Sequence, residues 1–160
     1  MISYRAMLDE EYDDYLSYFI CDYSAEIASS YKLSLEAATE IAKREVARDL
    51  PSGPGTKGQF LYCIVNTVEL TNNHIGYIWY SREHDADQIF VCDFYILPTY
   101  QNQGLGKLAL AELDTHLSNS GVRQIRLRVA IENRIALHVY ESSGYRATGI
   151  NMFREIGKAE

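Results

Sequence analysis

The sequence predicts a mixed α/β fold, a central mixed sheet of six to seven strands flanked by helices, with a helical segment on its N-terminal side. Bulky residues recur at three- or four-residue intervals through the first 50 positions, which is the period of amphipathic helices. From Gln59 onward, β-branched and aromatic runs alternate with polar loops, which indicates strands. Gln88 to Ala130 then has the order strand, helix, strand, which predicts a right-handed crossover between parallel strands.

The first 56 residues predict one strand followed by two helices. Ile2 to Met7 is strand-like, and the acidic triplet Asp9 to Glu11 starts a helix. The bulky side chains of this helix share one side of it: Tyr12, Tyr15, Phe19 and Tyr23. They indicate core packing, with a substrate-facing role left open for some of the tyrosines. Ser34 caps a second helix, Leu35 to Leu50, which Pro51 to Thr56 ends.

The rest of the chain predicts strands interrupted by two helices. Three extended runs have connections short enough for antiparallel pairing: Gln59 to Val68, His74 to Tyr80 and Gln88 to Leu97. The remaining elements are a helix from Gly104 to about Ser118, a strand from Gln124 to Ala130, a helix from Arg134 to Ser142, and a closing strand pair from Tyr145 to Ile156. Antiparallel strands followed by a crossover predict a mixed sheet with helices packed on it.

Length and charge limit the class of protein. The 160 residues, 47% of them hydrophobic, can bury one sizeable core, so we expect a single domain over residues 1–160. A net charge of -7 and a pI near 5.1 argue against a nucleic-acid binder or an anionic-membrane binder, because both need a basic surface. The excess of negative charge weakly favours a cationic small partner.

The cysteines and the N-terminal residues predict a cytoplasmic protein without a metal site. Cys21, Cys63 and Cys92 are far apart in the sequence and show no CxxC spacing, which disfavours both a disulfide framework and structural zinc. We interpret them as reduced core residues. The N-terminal residues are acidic where a signal peptide is basic and then apolar, and no apolar run is long enough to span a bilayer. We therefore predict neither export nor membrane insertion.

Two glycines one residue apart, Gly104 and Gly106, precede a helical run and indicate an anion site. Glycine destabilises a helix by about 1 kcal/mol per position, so a pair at a helix start requires another explanation. Main-chain N–H groups at a helix N-terminus can bind an anion closely when no side chain intervenes. The arrangement suits a phosphate or a diphosphate.

Two phosphate-binding motifs fit this loop poorly. A P-loop requires Ser or Thr after Gly-Lys, but Leu108 follows Lys107. Gly104 to Ala109 does satisfy GxGxxA, a dinucleotide fingerprint. However, Pro98 to Gln103 separates it from the preceding strand, and only Glu132 could serve as the acidic residue after the next strand. A nucleotide-binding domain is therefore the least favoured interpretation.

Two segments together resemble the signatures of one enzyme family. The first is Gln101-Asn102-Gln103-Gly104-Leu105-Gly106, preceded by Tyr95-Ile96-Leu97-Pro98, and the second is Asn133 to Tyr145. They resemble the Q/R-x-x-G-x-G/A signature and the N-x-x-A-x-x-x-Y-x-x-x-G-F/Y pattern of the GCN5-related N-acetyltransferase (GNAT) superfamily. The resemblance covers about residues 60–156. The first 55 residues resemble the N-terminal part of uncharacterised bacterial members.

The resemblance implies a fold and a cofactor, acetyl-CoA. In this family two neighbouring parallel strands splay apart and admit the pantetheine arm; here they would be Gln88 to Leu97 and Gln124 to Ala130. The pantetheine amides would pair with the main chain of Phe94, Tyr95 and Ile96. The N–H groups of the glycine loop would hold the diphosphate, with Lys107 adding charge. The other residues implied at the cofactor are Gln101, Asn102, Gln103, Gly104, Leu105, Gly106, Asn133 and Tyr140.

The resemblance also implies a hydroxyl at the leaving thiolate. Tyr140 occupies the matching position of the second pattern, and a thiolate with a pKa of about 8.5 can accept a hydrogen bond from tyrosine. Structural alternatives stay open for each residue of this segment. Tyr140 could be simple helix packing, Asn133 could cap the helix as well as contact the cofactor, and Gly144 could end it.

The sequence identifies the general base less clearly. Some relatives place a glutamate on the strand before the second pattern, but Arg128 stands at that point here. Asp93, on the strand before the glycine loop, is the first choice, with a buried ion pair as its structural alternative. His74 and His138 are more typical of structural or solvated histidines.

The predicted function is acetyl-CoA-dependent transfer of an acetyl group to a primary amine by direct attack on the thioester. A helical segment of about residues 9–50 would lie on the acceptor side, and about residues 59–156 would bind the cofactor. The amine acceptor is unknown, with a cationic one mildly favoured, and a homodimer through exposed sheet edges is left open. The alternative is a non-catalytic CoA-binding sensor or scaffold of the same fold.

Overall fold

The structure, a computed structural model, describes residues 1–68 and 73–157. Within them the sheet has five strands, arranged in chain order: β1 (Ile2–Ala6), β2 (Gln59–Asn66), β3 (His74–Ser81), β4 (Gln88–Ile96) and β5 (Gln124–Leu127). The α-helices are α1 (Tyr12–Tyr31), α2 (Leu35–Asp49), α3 (Leu105–Leu117) and α4 (Arg134–Ser142). The predicted mixed α/β class is confirmed.

Local sequence signals explain the N-terminal helices. Along α1 the buried residues Tyr15, Phe19 and Ile27 fall on one side, whereas Asp13 and Asp14 lie exposed in the first turn, where the helix dipole favours negative charge. α2 begins directly after its predicted cap, Ser34. The hydroxyl oxygen of Ser34 accepts a hydrogen bond from the N–H of Ala37 in the first turn, at 3.1 Å.

The sheet changes from antiparallel to parallel at one point. β1 to β4 pair antiparallel with their neighbours, and β5 pairs parallel with β4. A parallel pair needs a crossover, which α3 supplies. The strand, helix, strand prediction for this part of the chain is therefore confirmed.

The core lies on both faces of the sheet because side chains alternate along each strand. On β3, Tyr77 and Trp79 face α1 and α2, where they pack with Tyr15 and Phe19. The intervening residues of β3 face α3 and form a second cluster with β4: Ile78, Tyr80, Ile89, Val91, Leu113 and Leu117. The sheet thus separates a tyrosine-rich side from an aliphatic side.

A β-bulge in β4 reverses this alternation before the strand ends. Val91 lies opposite Tyr80 and Asp93 lies opposite Trp79, so Cys92 is the extra residue. Val91 packs on the α3 side, whereas the carboxylate of Asp93 is bonded by α1. The bulge therefore turns Asp93 toward α1, an effect that bulges commonly have near active sites.

The predicted closing strand pair is wrong. Residues 145–157, here called the tail, form neither a helix nor a strand, and β5 ends at Leu127 rather than at Ala130. The described sheet consequently has five strands instead of six or seven. Strand propensity alone does not make a strand, because its main-chain groups need a partner edge.

The cysteines follow the prediction only in part. All three are free, but Cys21 on α1 is exposed, so its assignment to the core is wrong; Cys63 is buried and Cys92 is partly buried. The helical period placed Cys21 on the outer side of α1, away from the sheet. None of the helices in the described ranges combines the length and the apolar character needed to cross a bilayer.

Candidate active site

A cleft opens where β4 and β5 part. They pair only between Gln88–Val91 and Gln124–Leu127, and beyond these residues they splay apart. The cleft has a volume of about 490 Å³. The sequence-predicted site residues line it with one exception, Gln103, whose side-chain amide instead donates to the carbonyl of Thr99 at 3.0 Å.

The glycine loop presents main-chain donors to this cleft. Asn102 (φ +61°) and Gly104 (φ +74°) both adopt the left-handed conformation, and this pattern makes neighbouring N–H groups converge. Within the described ranges, no N–H group from Asn102 to Lys107 donates to another residue. Because α3 begins at Leu105, the positive end of its dipole lies at the same place. The loop can therefore hold an anion through its main chain.

Backbone conformation explains the glycine at position 104 of the loop but not the glycine at position 106. Gly104 needs its left-handed φ, since a Cβ there would meet no atom within 4 Å but would strain the backbone. Gly106 has no such φ, and a Cβ would lie 3.8 Å from side-chain atoms of Ile96 and Val139, an ordinary contact. Packing therefore does not require glycine at position 106.

Two polar side chains at the cleft form hydrogen bonds with the main chain of the protein. The amide of Gln101 donates to the carbonyl of Ile96 at 2.7 Å and fixes the loop to the end of β4. The side-chain oxygen of Asn133 accepts from the N–H of Ala136 at 3.1 Å and caps α4. Capping, one of the two roles predicted for Asn133, is therefore present, and the residue also lines the cleft.

Asp93 lies in the cleft wall, held by two hydroxyls from α1. Tyr15 donates to its Oδ2 and Tyr18 donates to its Oδ1, each at 3.0 Å. Although the cleft leaves part of Asp93 accessible, the surrounding protein desolvates the carboxylate and raises its pKa to about 7, against the opposing effect of the two hydroxyls. Among the residues that the structure describes, Asp93 makes no ion pair with an arginine, so this structural alternative is wrong.

Sequence reasoning missed the partnership of Asp93 with α1. Tyr18 lay outside the predicted stripe, yet its ring stacks on Tyr95 with a centroid distance of 3.8 Å while its hydroxyl reaches Asp93. The available signal was the spacing of Tyr15 and Tyr18, because residues three apart face the same side of a helix. Tyr18 also lines the cleft beside Asp93, and the substrate-facing role left open for some tyrosines of α1 stays a prediction.

Tyr140 faces the same cleft from α4. Its ring lies 6.4 Å from Phe94 and 5.6 Å from Tyr145, centroid to centroid. Burial, followed by the negative charge of Asp93, raises its pKa above the ordinary value. Its hydroxyl therefore stays protonated at neutral pH and is available as a hydrogen-bond donor.

A comparison with models of known protein families identifies the family to which this fold and cleft belong. The model of the family described as "Acetyltransferase (GNAT) family" matches residues 8–145 of the chain. The chain belongs to the GNAT family. It is accordingly an acetyltransferase, and enzymes of this family use acetyl-CoA.

This GNAT protein is similar to uncharacterised bacterial relatives over nearly its whole length. It is 28% identical to the N-acetyltransferase YycN of Bacillus subtilis over 153 residues, which covers 94% of this chain and 96% of YycN. It is 22% identical to the N-acetyltransferase YdgE of the same species, with 94% and 95% coverage. Both relatives are described as uncharacterised, so they indicate no acceptor.

Solved structures share the GNAT fold. The crystal structure of YycN superposes with a TM-score of 0.89 at 27% identity and covers 99% of this chain and all of YycN. The PaiA N-acetyltransferase of Thermoplasma acidophilum, solved in complex with coenzyme A, has a TM-score of 0.68 at 16% identity, with coverage of 94% and 93%. The latter likeness concerns the fold alone.

A second cavity of the GNAT domain adjoins the cleft on the α1 side and is acidic. Its volume is about 330 Å³, and it shares Asp93 and Tyr18 with the cleft. Five carboxylates and two arginines line it: Asp22, Glu26, Glu45, Asp49, Asp93, Arg48 and Arg128. Burial and the nearby Glu26 raise the pKa of Asp22, which shows that negative charge is crowded there.

The residues that the sequence disfavours as the base have other surroundings. Arg128, directly after β5, forms a 2.9 Å ion pair with Glu26 of α1. His74 contacts the carbonyl of Gly76 at 2.8 Å, and burial lowers its pKa; His138 is exposed on α4. Neither histidine lines the cleft. Residues 1–68 and 73–157 contain no group of three or more His, Cys, Asp or Glu that could hold a metal ion.

Proposed function

We propose that this GNAT protein is an acetyl-CoA-dependent N-acetyltransferase that acts on a primary amine by direct attack on the thioester in a ternary complex. One observation carries the proposal: a single cleft contains unpaired N–H donors at one end and both Asp93 and Tyr140. A donor set for an anion and two groups that can handle protons are what this reaction requires.

The loop from Asn102 to Lys107 is proposed to hold the diphosphate of acetyl-CoA. Its free N–H groups and the start of α3 supply the donors, and Lys107 supplies a positive charge at the cleft. Phe94, Tyr95 and Ile96 lie beyond the part of β4 that pairs with β5. The main chain of these residues on that side is proposed to pair with the pantetheine amides. Gln101, Leu105 and Asn133 complete these walls.

Asp93 is proposed to accept the proton of the attacking amine. A lysine-like ammonium with a pKa of about 10.4 needs roughly 4 to 5 kcal/mol to become neutral at pH 7, so an adjacent proton acceptor is required. A general base works best when its pKa is near the working pH, and burial gives Asp93 a pKa of about 7. Tyr15 and Tyr18 would orient its carboxylate toward the acceptor.

Tyr140 is proposed to donate a hydrogen bond to the sulfur as the thioester breaks. Its raised pKa disfavours complete transfer of its proton to a thiolate with a pKa of about 8.5. A donor that stays protonated can nevertheless stabilise the charge that develops on sulfur. This is the role that the buried position of Tyr140 favours.

The acidic cavity is proposed to receive the acceptor, so that α1 and α2, within about residues 9–50, form the acceptor side. Glu26 and Asp49 are neutralised by Arg128 and Arg48, whereas Asp22 has no such partner in the described chain. A cationic amine would relieve this crowding of negative charge. We therefore propose an acceptor that carries a second positive charge beside the reacting amine.

The experiment that tests the function combines binding with turnover. Acetyl-CoA and CoA are expected to raise the melting temperature, and NAD is not. Release of free thiol from acetyl-CoA is then followed with diamines and with monoamines of equal length, and the diamines should have the higher kcat/KM. Stabilisation by CoA without thiol release for any amine would contradict the enzymatic proposal.

Replacing Tyr140 with phenylalanine is expected to lower kcat by about 100-fold while changing CoA affinity only a few fold, because the hydroxyl acts on the leaving sulfur. Steady-state kinetics and calorimetric titration with CoA measure the two effects. Tyr145→Phe is the matched control, since the hydroxyl of Tyr145 is buried without a hydrogen-bond partner in the described chain. Unchanged turnover in Tyr140→Phe would remove this residue from the mechanism.

A further inference from the structure

One side of α1 carries a row of three residues at the opening between the active-site cleft and the acidic cavity. Tyr18, Asp22 and Glu26 follow one another at four-residue intervals, so they share one side of the helix. All three line both cavities. A helix rises about 1.5 Å per residue, so each step along this row is about 6 Å. The row therefore places its polar groups at fixed distances along the opening.

Asp93 lies beside one end of this row. Tyr15 and Tyr18 both donate to its carboxylate, so Asp93 lies level with the turn of α1 that contains them. Asp22 is four residues beyond Tyr18 and seven beyond Tyr15, which is about 6 to 10 Å along the helix axis. Glu26 is one turn farther, at about 12 to 16 Å. The two carboxylates of the row thus differ in their distance from the proposed base.

Arg128 pairs with the farther of these two carboxylates. Its guanidinium donates to Oε1 of Glu26 at 2.9 Å, and both side chains are partly exposed. Asp22, in contrast, makes no ion pair with any residue in the described ranges. A guanidinium beside Glu26 cancels the attraction of this carboxylate for a cation and repels a second positive charge. Asp22 keeps its negative charge uncompensated.

A second contact holds Glu26 and Arg128 in register. The hydroxyl of Ser29, one turn beyond Glu26, donates to Oε2 of Glu132 at 3.0 Å. The end of α1 is therefore tied to the segment after β5 at two points. This arrangement fixes Arg128 opposite Glu26 rather than opposite Asp22.

The acidic cavity also has an apolar wall that suits a methylene chain. Phe90 is 44% exposed and lines this cavity, as does the ring of Tyr23. Aromatic rings can contact the CH₂ groups of a ligand while carboxylates bind its charged ends. The cavity can therefore receive an alkyl chain between two positive charges.

We propose that Arg128 determines acceptor specificity: by neutralising Glu26, it favours amines whose second positive charge reaches Asp22 and no farther. C–C bonds of about 1.5 Å at tetrahedral angles advance an extended chain by about 1.25 Å each. About four to seven methylene groups therefore separate two nitrogens by the distance to Asp22, whereas about nine or more would carry the second charge to Arg128. This role rests on the proposed function, because the amine is taken to react beside Asp93.

Calorimetric titration of diamines in the presence of CoA tests the role of Arg128 without requiring acetyl transfer. The measured quantity is the gain in affinity of each diamine over the monoamine of equal length. In the wild type we expect a gain of at least about 10-fold for diaminopentane and of less than about 3-fold for diaminodecane. In Arg128→Gln the gain for diaminodecane should rise to about 10-fold, because Glu26 is no longer neutralised. The gain for diaminopentane should change by less than about 3-fold, since exposed charges are screened.

Further variants separate the charge of Arg128 from its shape. Arg128→Lys keeps the positive charge and should keep the wild-type preference for the shorter diamine. Adding Glu26→Gln to Arg128→Gln should remove the gain for diaminodecane. Arg126→Gln is the matched control, because Arg126 is exposed on β5 and lines neither cavity. Its affinities should follow those of the wild type.

An unchanged length preference in Arg128→Gln would overturn the proposed role, as would equal gains for both diamines or a lysine variant that behaves like the glutamine variant. Failure of either diamine to bind the wild type more tightly than its monoamine would overturn it as well. Thiol release from acetyl-CoA is measured separately with the same amines. If the length preference is found without thiol release, the proposed reaction fails and the role of Arg128 in binding stands; thiol release without a length preference means the reverse.

Discussion

Replacing Asp93 with asparagine is expected to lower kcat by about 10²- to 10⁴-fold while leaving CoA affinity within a few fold, because the change removes a proton acceptor and keeps the shape of the side chain. In the wild type, kcat/KM should rise with pH through a limb near the pKa of Asp93, about 7. The variant should lack this limb. Steady-state rates between about pH 5 and pH 9 measure both effects.

The same substitution should alter stability in a pH-dependent way. Burial raises the pKa of Asp93 to about 7, so the folded protein retains a proton that the unfolded chain releases near pH 4. The stability linked to that proton is complete below about pH 4, falls as the pH rises to about 7, and is then lost. The difference in free energy of unfolding, Asp93→Asn minus wild type, should therefore be larger at pH 8 than at pH 4. The increase should be up to about 4 kcal/mol.

Asp114→Asn is the matched control for both readouts, since Asp114 is exposed on α3. Its rate and its melting temperature should follow those of the wild type at every pH. If Asp93→Asn kept the wild-type limb near pH 7, or shifted the melting temperature equally at low and high pH, Asp93 would not be the titrating base.

Replacing Gly76 with alanine is expected to lower the melting temperature by about 6 to 12 °C, corresponding to roughly 3 kcal/mol. A Cβ at this position would lie 2.1 Å from the carbonyl oxygen of Tyr95 on the neighbouring strand. Because the obstructing atom belongs to the main chain, β3 and β4 must move apart where β4 forms the cleft. Thermal denaturation measures the loss, and titration with CoA should show weakened binding.

Gly55→Ala provides the comparison, because a Cβ there would meet nothing within 4 Å and the backbone is not left-handed. Its stability should stay within about 0.5 kcal/mol of the wild type. An equal effect of the two substitutions would show that the loss at Gly76 reflects glycine content rather than the contact with Tyr95.

Local patterns predicted most of the elements because their causes are local. The period of α1, the cap at Ser34 and the strand runs of β2 to β4 each depend on residues close in sequence. The glycine loop was predictable for the same reason, since a φ of +74° at Gly104 is a property of one residue. The prediction of strands in the tail was wrong because a strand also requires a neighbouring strand to pair with, which the described chain does not supply.

The sequence by itself determined the α/β class, the crossover from β4 to β5 and a glycine loop at the start of α3. Only the tertiary structure decided the surroundings of Asp93. A bulge at Cys92 turns its carboxylate toward α1, where Tyr15 and Tyr18, more than 70 residues away in the sequence, donate to it. Burial by packed elements then sets its pKa. Desolvation depends on which distant segments meet, and no local pattern contains that information.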